Sequence, residues 1–138
     1  MNTTLNISEI LGIQSTLESI NLQITSTQSI AALIDLGGNL NAWMAFSGEQ
    51  MSISKRIWRA ETAKAYDSYI FSRMAHGMTI PPSMANKYAE AKSGDHEANY
   101  QLCERVNRSI THTIEFLRTV ISALKEEQKV YNYQGGTI

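Results

Sequence analysis

A chain of 138 residues with 43% hydrophobic and 18% charged side chains holds material for one compact domain rather than two. Eight glycines and two prolines leave few breakers, which excludes collagen-like, low-complexity and wholly disordered chains. The net charge of −1 is far from the balance of a general nucleic-acid binder, yet it conceals an asymmetry: up to Ser54 the chain carries Glu9, Glu18, Asp35 and Glu49 and no Lys or Arg, so all 12 basic residues lie from Lys55 onward. From Lys55 onward the 12 basic residues outnumber the remaining nine acidic ones, a small surplus with which small phosphorylated ligands are compatible.

Within residues 1–37, Ile10, Ile13, Leu17, Ile20 and Ile24 recur at spacings of three and four, which is a helix period. Ser8 suits an N-cap, and the β-branched stretch around Ile24–Thr27 predicts a break. Ser29 to Leu36 then reads as a short helix stopped by Gly37–Gly38. From Asn39 to His76 the pattern is a long helix, with an interruption expected near Ser47–Gly48 and Gly77 as the residue that closes it. Met78 to Ser83 contains two prolines and predicts an extended connector. Met84 to Lys92 reads as a short helix, Ser93–Gly94 as a break, and Asp95 as the cap of a last helix from His96 to about Tyr131.

In that last helix Cys103, Val106, Ile110, Thr113, Leu117, Val120 and Leu124 form a seam that needs a partner, and the 39–76 helix is the simplest one. The fold expected is therefore all-α: a long antiparallel helical hairpin or bundle over 39–131, preceded by N-terminal helices over 1–37 and followed by a frayed tail over 132–138, all in one domain. The apolar content of residues 1–37 places that segment at the interface of a homo-oligomer.

Catalytic and metal signatures are sparse. His76, His96, His112 and the single Cys103 show no metal-ligand spacing, and the glycines form no phosphate-cradling loop. Cys103 falls on the apolar seam and reads as a buried, inert thiol. One cysteine, a start without a basic and apolar leader, and no apolar run of membrane-spanning length point to a cytoplasmic chain with no cofactor, no metal and no membrane contact.

The distinctive feature is a row of Arg, Tyr and His side chains. Arg59, Tyr66, Arg73 and His76 are spaced seven, seven and three apart on the long helix, with Tyr69 beside them, and the last helix supplies Arg105, Arg108 and His112. Guanidinium groups bind phosphate and phenol rings stack on bases, so these eight residues form the candidate ligand site. An antiparallel hairpin would let Arg73 and His76 converge with Arg105 and Arg108. The competing reading is a solvated face paired with Glu61, Glu97, Glu104 or Glu115. The polar stretch Ser109–Thr113 reads either as a buried hydrogen-bond layer or as part of a pocket.

Arg56-Ile57-Trp58-Arg59-Ala60-Glu61-Thr62-Ala63-Lys64, the Ser-Met-x-x-basic-Tyr pattern at Ser83–Tyr88 and the ending Leu117–Lys125 resemble the small helical proteins of tailed phages that include the T4-type recombination mediators, over residues 43–129. That resemblance implies an oligomer that binds single-stranded DNA and helps load a recombinase; the chain lacks the family's lysine-rich character. It is also similar in design to the phage proteins that sequester nucleotide signals of bacterial immunity in Arg- and aromatic-lined pockets, which implies a counter-defence role in the host bacterial cytoplasm. The expected function is non-enzymatic capture of a small phosphorylated nucleotide. The alternatives are a single-stranded DNA accessory protein or a protein-binding adaptor or inhibitor.

Overall fold

The computed structural model describes residues 4–136, with side chains as far as Tyr133. Among the described residues there are four helices and no strand: α1 (Ile7–Ser26), α2 (Ile30–Ala75), α3 (Pro82–Lys92) and α4 (Gly94–Gly136). They divide into two compact units. The first holds residues 4–7 together with residues 48–104, and the second holds residues 8–47 together with residues 105–136. No helix among the described residues is long and apolar enough to cross a membrane.

α1 forms although it is rich in Ser and Thr, because burial of its apolar stripe outweighs their weak propensity, and their hydroxyls are satisfied on the helix's own carbonyls: Ser15 donates to Gly12 O at 2.9 Å, Thr16 to Ile13 O at 2.9 Å and Thr25 to Leu22 O at 2.8 Å. The five-residue apolar stripe from Ile10 to Ile24 is buried within the second unit. Each such side chain contributes about 1.5–3 kcal/mol on removal from water. Ile13 and Leu17 are thus used inside the chain, and only the opposite side of α1 stays open to a partner. The helix ends at Ser26, where the β-branched run predicts the break.

α2 corrects the sequence reading. Ser29 caps it, its hydroxyl accepting the Ala32 N–H at 3.2 Å. The helix then runs unbroken through Gly37–Gly38 and through Ser47–Gly48 to Ala75. Two glycines weaken a helix by about 1 kcal/mol each against alanine, but here tertiary packing overrides propensity: a Cβ at Gly37 would lie 3.1 Å from Leu117 Cδ2, so the bare backbone is what lets α4 approach. Gly77 closes the helix as expected. Its φ is +72°, its N–H bonds Met74 O at 2.9 Å and the Met78 N–H bonds Arg73 O at 3.1 Å, the paired bonds of a Schellman ending.

In both units α2 and α4 run antiparallel. In the second, Asn107 Nδ2 donates to Ser47 Oγ at 2.9 Å and to Met44 O at 3.2 Å, while Thr111 Oγ1 lies 3.6 Å from Met44 Sδ. In the first, Trp58 stacks on Tyr100 and Thr62 bonds Ser93. The α4 seam is buried at Cys103, Val106, Ile110, Thr113 and Leu117, as its spacing predicts, with Ile114 beside it, while Val120 and Leu124, the end of the expected seam, are only half-buried. α4 opens at Gly94, so Asp95 sits inside the first turn rather than capping it. At the other end residues 132–136 are helical rather than frayed, and the expected tail residues 137–138 lie outside the described residues.

Candidate functional site

α3 lies on α2 through small side chains. Pro82 starts it at the position where a missing N–H costs nothing, and Ala85, Ala89 and Ser93 are buried one turn apart. Their small volume brings the flanks of α3 close to α2. Asn86 and Tyr88 are two residues apart and so leave α3 on different flanks, and each flank forms a recess with α2.

The first recess, of about 350 Å³, is lined by Tyr69, Ser72, Arg73, His76, Met78 and Tyr88. The Tyr69 and Tyr88 rings stack with centroids 4.5 Å apart and planes at 28°. The Arg73 guanidinium carbon lies 5.1 Å from the Tyr69 centroid and Lys92 Nζ 5.7 Å from that of Tyr88, so the stack carries a cation at each ring. His76 Nδ1 donates to Ser72 O at 2.8 Å, which sets that nitrogen as the protonated one and leaves Nε2 for a ligand. Arg73 Nη1 approaches Met78 Sδ at 3.8 Å. Among the described residues no carboxylate comes within ion-pair distance of Arg73.

The second recess, of about 510 Å³ and open to solvent, is lined by Trp58, Arg59, Thr62, Tyr66, Asp67 and Asn86. Nearby, Trp58 stacks on Tyr100 at 5.7 Å and 22°, with Lys55 Nζ 5.8 Å from the Tyr100 centroid.

The candidate residues are therefore distributed over three places. Tyr69, Arg73 and His76 share one recess; Arg59 and Tyr66 share the other. Arg105, Arg108 and His112 are exposed and belong to the second unit. His112 lines an open groove there with Gln14, Glu18, Asn21 and Phe116, and pairs with Glu115 at 3.5 Å. The expected meeting of the His76 end of α2 with the start of the last helix does not occur. α3 folds back along α2 for 11 residues, about 16 Å at helical rise, and α4 therefore begins opposite Thr62, with α3 covering the end of α2 that carries Arg73. In the Ser109–Thr113 stretch, Ser109, His112 and Thr113 all line the groove, and Thr113, the buried one of the three, bonds Ser109 O within the helix at 3.0 Å.

Sequence reasoning missed Tyr88, Lys92 and Asn86. Tyr88 and Lys92 at i and i+4, along the border of the small-residue face of Ala85 and Ala89, were the available signal.

Among the described residues no group of three or more His, Cys, Asp or Glu is placed to hold a metal ion. In the core, burial pushes the Cys103 thiol up, against smaller opposing hydrogen bonds from Ser54 and its own backbone. Comparison with protein families, curated proteins and solved structures finds no match to this chain.

Proposed function

We propose that this chain is a non-enzymatic binding module for a small phosphorylated nucleotide, held in the recess of Tyr69, Arg73, His76 and Tyr88. The observation that carries the reading is the guanidinium of Arg73 over a stacked tyrosine pair, with a histidine on the same recess and no carboxylate neutralising the arginine. A cation for phosphate beside an aromatic pair that can exchange its own stacking for a base recognises a nucleotide in its ground state, which is a binder's chemistry. A volume of about 350 Å³ is within the range of small-molecule sites. On this reading the protein is a homo-oligomer that sequesters its ligand, in keeping with the phage counter-defence proteins it resembles in design. Titration with cyclic dinucleotides and ADP-ribose isomers, on wild type and Arg73→Ala, tests it.

A second reading, a single-stranded DNA accessory protein, is favoured by one observation. Trp58–Tyr100 with Lys55 and Tyr69–Tyr88 with Arg73 are two aromatic platforms with cations in the same unit. Trp58 and Tyr69 are separated along α2 by about 16 Å at helical rise, a span that suits a strand better than one nucleotide. An oligothymidylate binding more tightly with length, and losing affinity steeply with salt, would select that reading.

A further inference from the structure

The outer side of the α2 end exposes more apolar surface than the chain covers. Phe71 is 72% exposed and Met74, one turn on, is 65% exposed. Met74 joins Ile70, Met78 and Ile80 around a recess of about 420 Å³. From Ser68 to Ala89 there is no Asp or Glu, while Arg73 and Lys87 are cationic. Exposed apolar side chains gathered in one place mark an interaction surface.

A second surface has the same apolar excess and the opposite charge. With its Ile10-to-Ile24 stripe buried, α1 presents Leu11, Ser15, Glu18 and Leu22 at i, i+4, i+7 and i+11 on the other side, where Leu22 is 67% exposed. This side belongs to the stretch up to Ser54 that has four acidic residues and no cation. The stripe thus carries the carboxylate of Glu18 and no cation, and the tip carries Arg73 and Lys87 and no carboxylate.

We infer that the Phe71–Met74 tip of one copy docks on the Leu11–Leu22 stripe of α1 in a second copy, apolar side chains making the contact and the opposite charges setting its orientation. Because two different surfaces meet, the contact is heterologous and builds a ring if its rotation closes and a filament if it does not. The apolar contact is separate from nucleotide capture, since Phe71, Met74, Leu11 and Leu22 line neither recess of the α2–α3 pair, and only Arg73 is common to the tip and the recess.

Light scattering on the full chain tests it. Wild type at micromolar concentration should show a mass at a multiple of 15.4 kDa. A Phe71→Ser/Met74→Ser variant and a Leu11→Ser/Leu22→Ser variant should each be monomeric with unchanged helical circular dichroism, because all four side chains are exposed. Mixed together, the two should pair at twice the monomer mass, each supplying the surface that the other lacks. Lys87→Glu, on an exposed side chain, should weaken wild-type association severalfold, with the difference narrowing at high salt. A monomeric wild type, a variant pair that assembles like wild type, or monomeric variants that fail to pair on mixing would each overturn the inference. So would a monomeric wild type that binds anionic vesicles through Phe71 and Met74, which would assign the tip to a membrane.

Discussion

Thr62 Oγ1 donates to Ser93 Oγ at 2.8 Å, and Ser93 Oγ donates in turn to Ala89 O at 2.8 Å. This relay ties the α3–α4 junction to the middle of α2, and so decides that α3, rather than the start of α4, covers Tyr69 and Arg73. Ser93 is buried, so Ser93→Ala deletes two bonds while Thr62 falls back on Trp58 O, its other partner at 2.7 Å. The expected loss is about 0.5–1.5 kcal/mol, read as a lower denaturant midpoint at unchanged slope.

Gly37 and Gly38 are adjacent but should respond differently to alanine. Nothing lies within 4 Å of a Cβ at Gly38, so Gly38→Ala should raise stability by about 0.5–1 kcal/mol through helix propensity alone. At Gly37 the new methyl meets Leu117 Cδ2 at 3.1 Å, and displacing that side chain offsets the gain. Thermal unfolding should rank Gly38→Ala above Gly37→Ala.

The same pair explains how much of the fold was legible in the sequence. The α1 stripe, Gly77 and the Cys103-to-Leu117 seam are written in local periodicity and turn chemistry, and the structure has them all. Gly37–Gly38 was misread as a stop because local propensity carries no word of Leu117, 80 positions away and packed against the bare backbone. The candidate row was misread for a related reason. Helical spacing puts Arg59, Tyr66 and Arg73 on one face of α2, but α3 lies along that face and separates the first two from the third. Where α3 lies follows from Ala85, Ala89 and the Thr62–Ser93 bond, none of which advertises a site.

Gln50 is fully buried in α2, and its amide holds the chain before α1: Oε1 accepts the Asn6 N–H at 2.6 Å and Nε2 donates to Thr4 O at 3.1 Å. Gln50→Leu keeps most of the volume and removes both bonds. It should cost about 1–3 kcal/mol, and hydrogen exchange at the Asn6 amide should rise above that of its neighbours within α1.

Burial holds the Cys103 acidity below that of an ordinary thiol, its pKa being raised. The unfolded thiol ionises in the ordinary range, about pH 8.5, while the folded one still holds its proton. Stability from this group is therefore fully present below that range and is lost as pH rises from it through the raised folded value. Cys103→Ala should flatten the alkaline fall in stability, and the native thiol should react with a disulfide reagent only as fast as the chain opens.

The most direct test of nucleotide capture is calorimetric titration of cyclic dinucleotides, ADP-ribose isomers and a short oligothymidylate into wild type, Arg73→Ala, Tyr69→Leu and Arg105→Ala. One nucleotide ligand should saturate wild type. Arg73→Ala should weaken the binding about ten- to hundredfold, as expected for about 1.5–3 kcal/mol from a lost charge-assisted contact. Tyr69→Leu should weaken it comparably through lost stacking, while Arg105→Ala, whose side chain lines neither α2–α3 recess, should leave it unchanged. A ligand whose affinity is the same for wild type, Arg73→Ala and Tyr69→Leu would contradict the assignment, because the recess would then be only the solvated flank of a helix pair.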